Sequence, residues 1–164
     1  MLGIVLLYVG IVLFNNGIGR MTGIDKKALS VMNIFVGSLS VLLNIITIIG
    51  AQSTADYYSA GTGLLFGFTY LFTAANNLFE LDTRPYGWYS LIVAIIAVPA
   101  GILCFMEQDY RMAVIWWAWS LLWLTGFIET VLKKDLGSFV SVLLLLEAVL
   151  TGLIPGFLML IEKW

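Results

Sequence analysis

Apolar stretches about twenty residues long recur along this chain and restrict what it can fold into more than any other feature. Hydrophobic residues make up 61% of the 164 residues, charged residues make up only 11%, and the mean hydropathy is +1.01. A soluble domain carries about 25% charged residues, whereas a helix needs about 20 apolar residues to cross a bilayer core. The sequence therefore predicts an all-α membrane protein, because helices satisfy their own backbone hydrogen bonds in lipid.

Six stretches are long enough to be transmembrane helices, and short connections separate them. The predicted spans are residues 2–19, 29–50, 57–79, 85–106, 111–132 and 137–161. The first stretch has neither a charged start nor a small-residue cleavage site, so we predict a retained span rather than a signal peptide. Without a linker or a low-complexity tract, the chain is predicted to be a single domain over residues 1–164.

The basic residues predict which ends of the helices face the cytoplasm. Six of the eight lie in the first, third and fifth connections: Arg20, Lys26, Lys27, Arg84, Lys133 and Lys134. By the positive-inside rule these connections are cytoplasmic and both termini lie outside. Each of the three connections also places an acidic residue beside basic ones, in IDKK, LDTRP and LKKDLG. This weak repeat predicts three two-helix hairpins packed around one axis, an arrangement that often builds a pathway between repeats.

Several classes of chemistry are excluded by residue types that are rare or absent. The chain has no histidine, which removes imidazole as a general base, metal ligand or neutral-range pH sensor. Cys104 is the single cysteine, so an intrachain disulfide or a two-cysteine metal motif is impossible. A net charge of −2 without a basic cluster argues against a nucleic-acid partner. We predict neither enzyme activity nor a catalytic residue, a metal site or a cofactor.

Aromatic residues form a ladder on one side of the fifth predicted span. Trp116, Trp119 and Trp123 are spaced by three and four residues, which stacks their indoles over about 10 Å of helix. In the third span, Phe66 and Tyr70 share a face with threonine and asparagine residues. An interfacial aromatic belt is the alternative for Trp116, the outermost of the three tryptophans.

Two glutamates lie within predicted spans, where an ionisable side chain indicates a functional site. Glu147 is near the middle of the sixth span with no cation nearby in sequence. Glu129 is close to the end of the fifth span, where it alternatively extends toward the cytoplasm and pairs with Lys133 four residues on.

Small residues predict where helices approach closely. Gly3, Gly10 and Gly17 recur every seven residues in the first span and form a smooth strip for another helix. A polar stripe in the second span, which includes Asn33 and Ser40, is interpreted either as contacts between helices or as pathway lining.

Several segments resemble the urea channels and short-amide transporters of the AmiS/UreI family. They are MLGIVLLYVGIVLFNNGI, VMNIFVGSLS, GLLFGFTYLF, LDTRPYGWYSL, IWWAWSLLWLTGFIE and EAVLTGLIP, and together they extend over nearly the entire chain. The resemblance implies a homohexamer in the bacterial plasma membrane, in which each protomer has its own pore. It also implies that the pore is lined by Val9, Leu13, Asn16, Phe66, Tyr70, Trp116, Trp119, Leu122, Trp123 and Glu147. Glu147 is then expected to accept hydrogen bonds from amide donors or to hold a tryptophan indole in place.

The expected function is passive, selective passage of urea to a cytoplasmic urease. A planar, neutral solute can slide between aromatic faces, whereas an ion loses too much hydration there. Uptake of short aliphatic amides such as acetamide is the nearer alternative, and a proton-coupled transporter that uses Glu129 and Glu147 as a relay is the more distant one.

The sequence departs from the acid-gated members of the family at the connections predicted to face outward. The connections at residues 50–56 and 107–110 are short, and histidine gating is impossible without histidine. The outer carboxylates Asp56, Glu107 and Asp109 are the remaining acid-sensitive groups there. Met112 lies where the family pattern has a further tryptophan.

Overall fold

Helices occupy all six of the predicted stretches in the computed structural model, which describes residues 1–164. In chain order these are α1 (Leu2–Thr22), α2 (Lys26–Ile49), α3 (Thr54–Phe79), α4 (Arg84–Met106), α5 (Tyr110–Thr130) and a sixth helix made of α6 (Ser138–Glu147), a π-helical segment (Ala148–Leu153) and α7 (Ile154–Leu160). Their bounds agree with the predicted ranges to within three residues. The fold is therefore all-helical, as predicted.

Short polar sequences between the apolar stretches determine where the helices begin and end. Ser53 precedes α3 in a capping box, in which its hydroxyl accepts from the Asp56 backbone N–H at 3.3 Å and the Asp56 carboxylate accepts from the Ser53 N–H at 2.9 Å. Asp109 caps α5 by accepting from the Met112 N–H at 3.1 Å. Gly23 ends α1 with a left-handed φ of 71°, a conformation that glycine adopts without steric cost.

Five of the six helical stretches, all except α3, are long and apolar enough to cross a membrane. At 26 residues α3 is the longest, but it contains four threonines and two asparagines, which make it less apolar than the others. Large apolar side chains are exposed around the outside of the bundle, among them Phe35, Ile49 and Phe79. An outer surface of this kind suits a hydrocarbon environment and is rare on soluble monomers.

The helices form a ring in which close and loose neighbours alternate. The closely packed pairs are α2 with α3, α4 with α5, and α1 with the sixth helix. The two members of each predicted hairpin, α1 with α2, α3 with α4 and α5 with the sixth helix, touch much less. The close pairs are thus joined through the second and fourth connections and through ring closure between the first and last helices.

Glycines allow the backbones of the close pairs to meet. The predicted strip Gly3, Gly10 and Gly17 packs along the sixth helix, which confirms that another helix approaches there. A Cβ at Gly10 would lie 2.5 Å from the Leu153 backbone nitrogen and 2.8 Å from the Ala148 carbonyl oxygen. Such distances are too short for any real Cβ, so only glycine permits this contact.

The π-helical segment interrupts the sixth helix and ends two residues before Pro155. Proline has no backbone N–H and leaves the carbonyl four residues earlier, that of Thr151, without its usual helical partner. In the π segment the Ile154 N–H donates to the Val149 carbonyl, five residues earlier, and π segments inside α-helices are frequent at functional sites. Glu147 is the last residue before the segment.

Candidate functional site

Two cavities follow one another through the centre of the ring. The first has a volume of about 270 Å³ and opens toward the end of the bundle that carries the first, third and fifth connections. The second has a volume of about 230 Å³ and opens toward the end that carries Met1 and the second and fourth connections. Both cavities are lined mainly by α1, α3 and α5, with contributions from the other helices.

Phe66 and Trp119 line both cavities and form the partition between them. Their ring centroids are 4.5 Å apart and the planes meet at 74°, an edge-to-face contact. Trp123 lies against Phe66 on the side of the first cavity, at 4.9 Å, and Trp116 lies on the side of the second, at 6.0 Å. The predicted tryptophan ladder of α5 therefore packs on one ring from α3. Trp116 is buried in this cluster, so the interfacial-belt alternative for it is wrong.

Threonine hydroxyls hold two of the indoles in place. The Trp123 Nε1–H donates to Thr69 Oγ1 at 3.0 Å, and the Trp119 Nε1–H donates to Thr151 Oγ1 at 2.9 Å. Each hydroxyl in turn donates to a backbone carbonyl of its own helix, that of Leu65 or that of Glu147, both at 2.7 Å. Because both donor and acceptor functions of the hydroxyls are used, each indole has a defined orientation.

Glu147 does not hold a tryptophan indole, contrary to one of its two expected roles. Its side chain is 3% exposed, and neither carboxyl oxygen has a hydrogen-bond partner. The Trp119 indole instead donates to Thr151, one helical turn further along. A buried carboxyl group with both oxygens free retains its full capacity to accept hydrogen bonds.

An ion pair lies at the mouth of the first cavity. The Arg20 guanidinium donates through Nη2 to Glu129 Oε1 at 2.7 Å and through Nη1 to Glu129 Oε2 at 3.1 Å. The interpretation that Glu129 pairs with Lys133 is therefore wrong. Helix α5 ends at Thr130, and Lys133 lies beyond it with a φ of 54°, so the two residues do not share a helical face.

Polar side chains of α2 connect helices. Asn16 and Asn33 exchange amide hydrogen bonds of 3.1 and 2.8 Å between α1 and α2, and Ser40 donates to the Gly63 carbonyl of α3 at 3.3 Å. These contacts support the interpretation of this stripe as contacts between helices. Asn44 and Thr47, further along α2, line the second cavity.

Eight of the ten residues carried over from the family resemblance line the cavities. In the first are Leu13, Asn16, Phe66, Tyr70, Trp119, Leu122 and Trp123, and in the second are Phe66, Trp116 and Trp119. Val9 and Glu147 are fully buried but line neither cavity. Met112, the departure from the family pattern, lines the second cavity.

Three residues with a part in this site were not among the predicted site residues. Thr69 lies three residues after Phe66, so the helical period places it near the same face, and this signal was available in the sequence. Thr151 follows Glu147 by four residues, so the helical spacing in the sequence could have identified it in the same way. Arg20 had no such signal, because its partner lies 109 residues away.

The site offers aromatic faces and a few hydroxyl and amide groups. The structure contains no group of three or more histidine, cysteine, aspartate or glutamate side chains that could hold a metal ion. The arrangement suits a small, flat, polar solute that stacks on aromatic rings and exchanges hydrogen bonds with threonine and asparagine.

Comparisons with known proteins agree over the whole chain. A family model described as "AmiS/UreI family transporter" matches residues 1–163. The acid-activated urea channel of Helicobacter pylori is 46% identical, and the alignment covers all of both chains. A Mycolicibacterium smegmatis protein named for transport of amidate substrates is 37% identical over 99% of this chain and 78% of its own length.

Solved structures agree as well. The cryo-EM structure of the Helicobacter pylori urea channel in its closed state matches with a TM-score of 0.94 and 47% identity over all of both chains. The sequence alignment with the channel of that organism is 194 positions long, so at least 30 of its positions are gaps in this 164-residue chain.

Proposed function

Because the chain belongs to the AmiS/UreI family of transporters, we propose that it is a passive channel that conducts urea across the bacterial plasma membrane. It is a multi-pass membrane protein of a family of transporters rather than of enzymes. The observation that carries the proposal is the aromatic partition of Phe66 and Trp119 between two cavities along one axis.

Urea fits this partition in shape and chemistry. It is planar and uncharged, so it stacks on an indole or phenyl face without the desolvation penalty of an ion. A solute held between two rings needs about 7 Å between them, which is two van der Waals contacts of about 3.5 Å. The 4.5 Å contact of Phe66 with Trp119 is shorter than this. In our proposal one of these side chains turns aside as each urea passes.

Hydrogen-bonding groups on either side replace part of the water that urea loses. Thr69, Asn76 and Asn77 line the first cavity, and Asn44 and Thr47 line the second. Glu147 lies one helical turn before Thr151, the hydrogen-bond partner of Trp119, and we propose that its free carboxyl oxygens accept from the urea NH₂ groups when the partition opens.

In the membrane we propose six spans, with α3 as the span that contributes the polar lining. A helix of lower hydropathy can still span the membrane when one of its faces lines the urea pathway rather than contacting lipid. The distribution of lysine and arginine supports cytoplasmic first, third and fifth connections and external termini. The first cavity then opens to the cytoplasm and the second to the outside.

For the assembly we propose a homohexamer in which each protomer is a single channel domain. The exposed apolar side chains of the outer surface support contacts with neighbouring copies and with lipid. The partner that consumes the permeant is a cytoplasmic urease. Cross-linking in native membranes followed by native mass spectrometry tests the number of subunits.

Short aliphatic amides are the second candidate permeants. Acetamide presents the same planar amide as urea, and the 37% identity to a protein named for amidate substrates supports this alternative. A methyl group in place of an amino group removes hydrogen-bond donors and changes the solute little in size. We therefore expect acetamide to pass more slowly than urea and not to be fully excluded.

Stopped-flow light scattering on proteoliposomes tests the proposal. Urea, acetamide and glycerol are compared for the wild type, for Trp123→Ala and for empty liposomes. We expect fast, non-saturating urea entry that Trp123→Ala alters. Entry no faster than in empty liposomes would refute the channel. Accumulation of urea driven by a pH gradient, abolished in Glu147→Gln, would instead favour the proton-coupled alternative.

A further inference from the structure

The ion pair between Arg20 and Glu129 joins two helices that do not otherwise pack closely. Arg20 is in the last turn of α1 and Glu129 is in the last turn of α5, and both residues line the mouth of the first cavity. The two parallel hydrogen bonds of 2.7 and 3.1 Å match the planar guanidinium to the planar carboxylate. The pair therefore lies beside the route of any solute that enters or leaves this cavity.

The desolvation penalty that keeps most ions out of the aromatic cluster is smaller for a planar guanidinium cation, which is only weakly hydrated. Guanidinium has almost the size and shape of urea, and the negative faces of indole rings attract it. Trp119 and Trp123 line the same cavity as the ion pair. A route that accepts urea between aromatic rings therefore needs a second element to reject a urea-shaped cation.

The charged groups at the cavity supply such an element. Its charged lining residues are Arg20, Lys26 and Glu129, which together carry one net positive charge. Arg20 binds both oxygens of Glu129, so the two-pronged site of this carboxylate is not available to another guanidinium group. A guanidinium ion would use the same two hydrogen bonds that Arg20 already makes.

We propose that Arg20 is a specificity-determining residue, which rejects guanidinium-like cations by neutralising Glu129 at the mouth of the cavity. The inference rests on the proposed function, because charge selectivity has meaning only for a conducting path. The ion pair is a site separate from the aromatic partition.

Uptake of labelled guanidinium and of labelled urea into proteoliposomes tests the inference, with the membrane potential clamped by potassium and valinomycin. The variants are Arg20→Met, which leaves Glu129 unpaired, and the matched Arg20→Met/Glu129→Gln, which removes both charges. We expect the guanidinium-to-urea ratio to rise about fivefold in Arg20→Met at low salt. The rise should shrink in about 1 M salt, where charges are screened beyond about 3 Å. In the double variant the ratio should return toward the wild-type value.

The possible results separate the two proposals. Wild-type urea flux with an unchanged ratio in Arg20→Met overturns the inference and leaves the channel intact. An equal rise in the double variant also overturns it, because lost side-chain volume rather than charge then explains the change. Absence of urea flux in the wild type refutes the channel and the inference together. If Arg20→Met does not insert, Arg20→Gln provides the same loss of charge with a polar side chain.

Discussion

The ring of Phe66 stands edge-on against the indole of Trp119, with 4.5 Å between the two centroids. These residues come from α3 and α5 and are the only two that line both cavities. Two side chains, rather than a seam between helices, therefore separate the cavities. Rotation of a side chain is much faster than movement of packed helices, which suits a channel that conducts without an energy source.

Phe66→Leu should widen the partition. The variant loses the ring contact with Trp119, and an aromatic pair of this kind stabilises the closed arrangement by about 1 kcal/mol. We expect urea entry to rise about fivefold, and the rate for the bulkier N,N′-dimethylurea to rise by more than that for urea. Stopped-flow light scattering measures both rates.

Phe68→Leu is the matched control for this substitution, because Phe68 lies on the outside of the same helix and is 47% exposed. Its urea and dimethylurea rates should equal those of the wild type. Equal behaviour of the two leucine variants would contradict a partition formed by Phe66.

Trp123→Phe should loosen the indole arrangement without removing the aromatic ring. The variant loses the hydrogen bond from Nε1 to Thr69, and such a bond between membrane helices contributes about 0.6 to 1.7 kcal/mol. A double-mutant cycle with Thr69→Val should give a coupling energy in this range, measured from unfolding in mixed detergent micelles.

Trp88→Phe is the control, because Trp88 is 55% exposed on the outside of α4. A coupling energy near zero for Trp123 and Thr69 would contradict the structure.

Gly10→Ala should separate α1 from the sixth helix. The new Cβ would meet the Leu153 nitrogen at 2.5 Å and the Ala148 carbonyl oxygen at 2.8 Å, and these two backbone atoms cannot turn aside. Overpacking of this kind costs about 1 to 3 kcal/mol, so we expect a lower melting temperature in detergent.

Gly61→Ala is the matched control in α3, where the added Cβ would meet nothing within 4 Å. There the substitution should stabilise the helix by about 1 kcal/mol. A Gly10→Ala variant as stable as Gly61→Ala would show that α1 and the sixth helix are less closely packed than described.

Asp82→Asn should make stability depend less on pH. Asp82 lies in the connection between α3 and α4, where the side-chain hydrogen bond from Arg84 at 2.8 Å is the main cause that lowers its pKa to about 2. A lowered pKa in the folded state means that the ionised form stabilises the fold above the ordinary value of about 3.9. The contribution is lost as the pH falls toward 2.

The wild type should therefore melt higher than Asp82→Asn from neutral pH down to about pH 4, and the difference should disappear in stronger acid. Asp135→Asn, in the connection before α6, serves as the control for loss of a surface charge. A difference between wild type and Asp82→Asn that grows on acidification would contradict the lowered pKa.

Urea conductance should not change between about pH 7.5 and pH 5.5, the range in which histidine titrates. The chain has no histidine, and the pKa of Asp82 lies well below this range. Stopped-flow rates at both pH values, with equal pH on the two sides of the membrane, measure the effect. A several-fold increase in acid would show that another carboxyl group gates the channel.

Patterns within a single helix were predictable from the sequence. Hydropathy located all six helical stretches to within three residues, and the seven-residue glycine spacing located the face of α1 that packs on another helix. These features depend on the period of one helix, which a sequence displays directly.

Pairings between distant helices were not predictable in the same way. Local spacing favoured Lys133 as the partner of Glu129, but α5 ends before Lys133 and the partner is Arg20. The expectation that Glu147 accepts from an indole was likewise wrong, because Trp119 donates to Thr151 in the π-helical segment. Such contacts depend on which helices are neighbours, and apolar periodicity carries no information about that.

The closure of the ring by α1 and the sixth helix has a consequence for synthesis. The chain leaves the ribosome N-terminus first, so α1 enters the membrane before any other helix. Its packing partner, the sixth helix, is synthesised last. The glycine strip of α1 lacks this packing partner until residues 138–160 have been made. The two cavities acquire their complete walls only then, and a half-made protein has no enclosed passage through which the cell could leak.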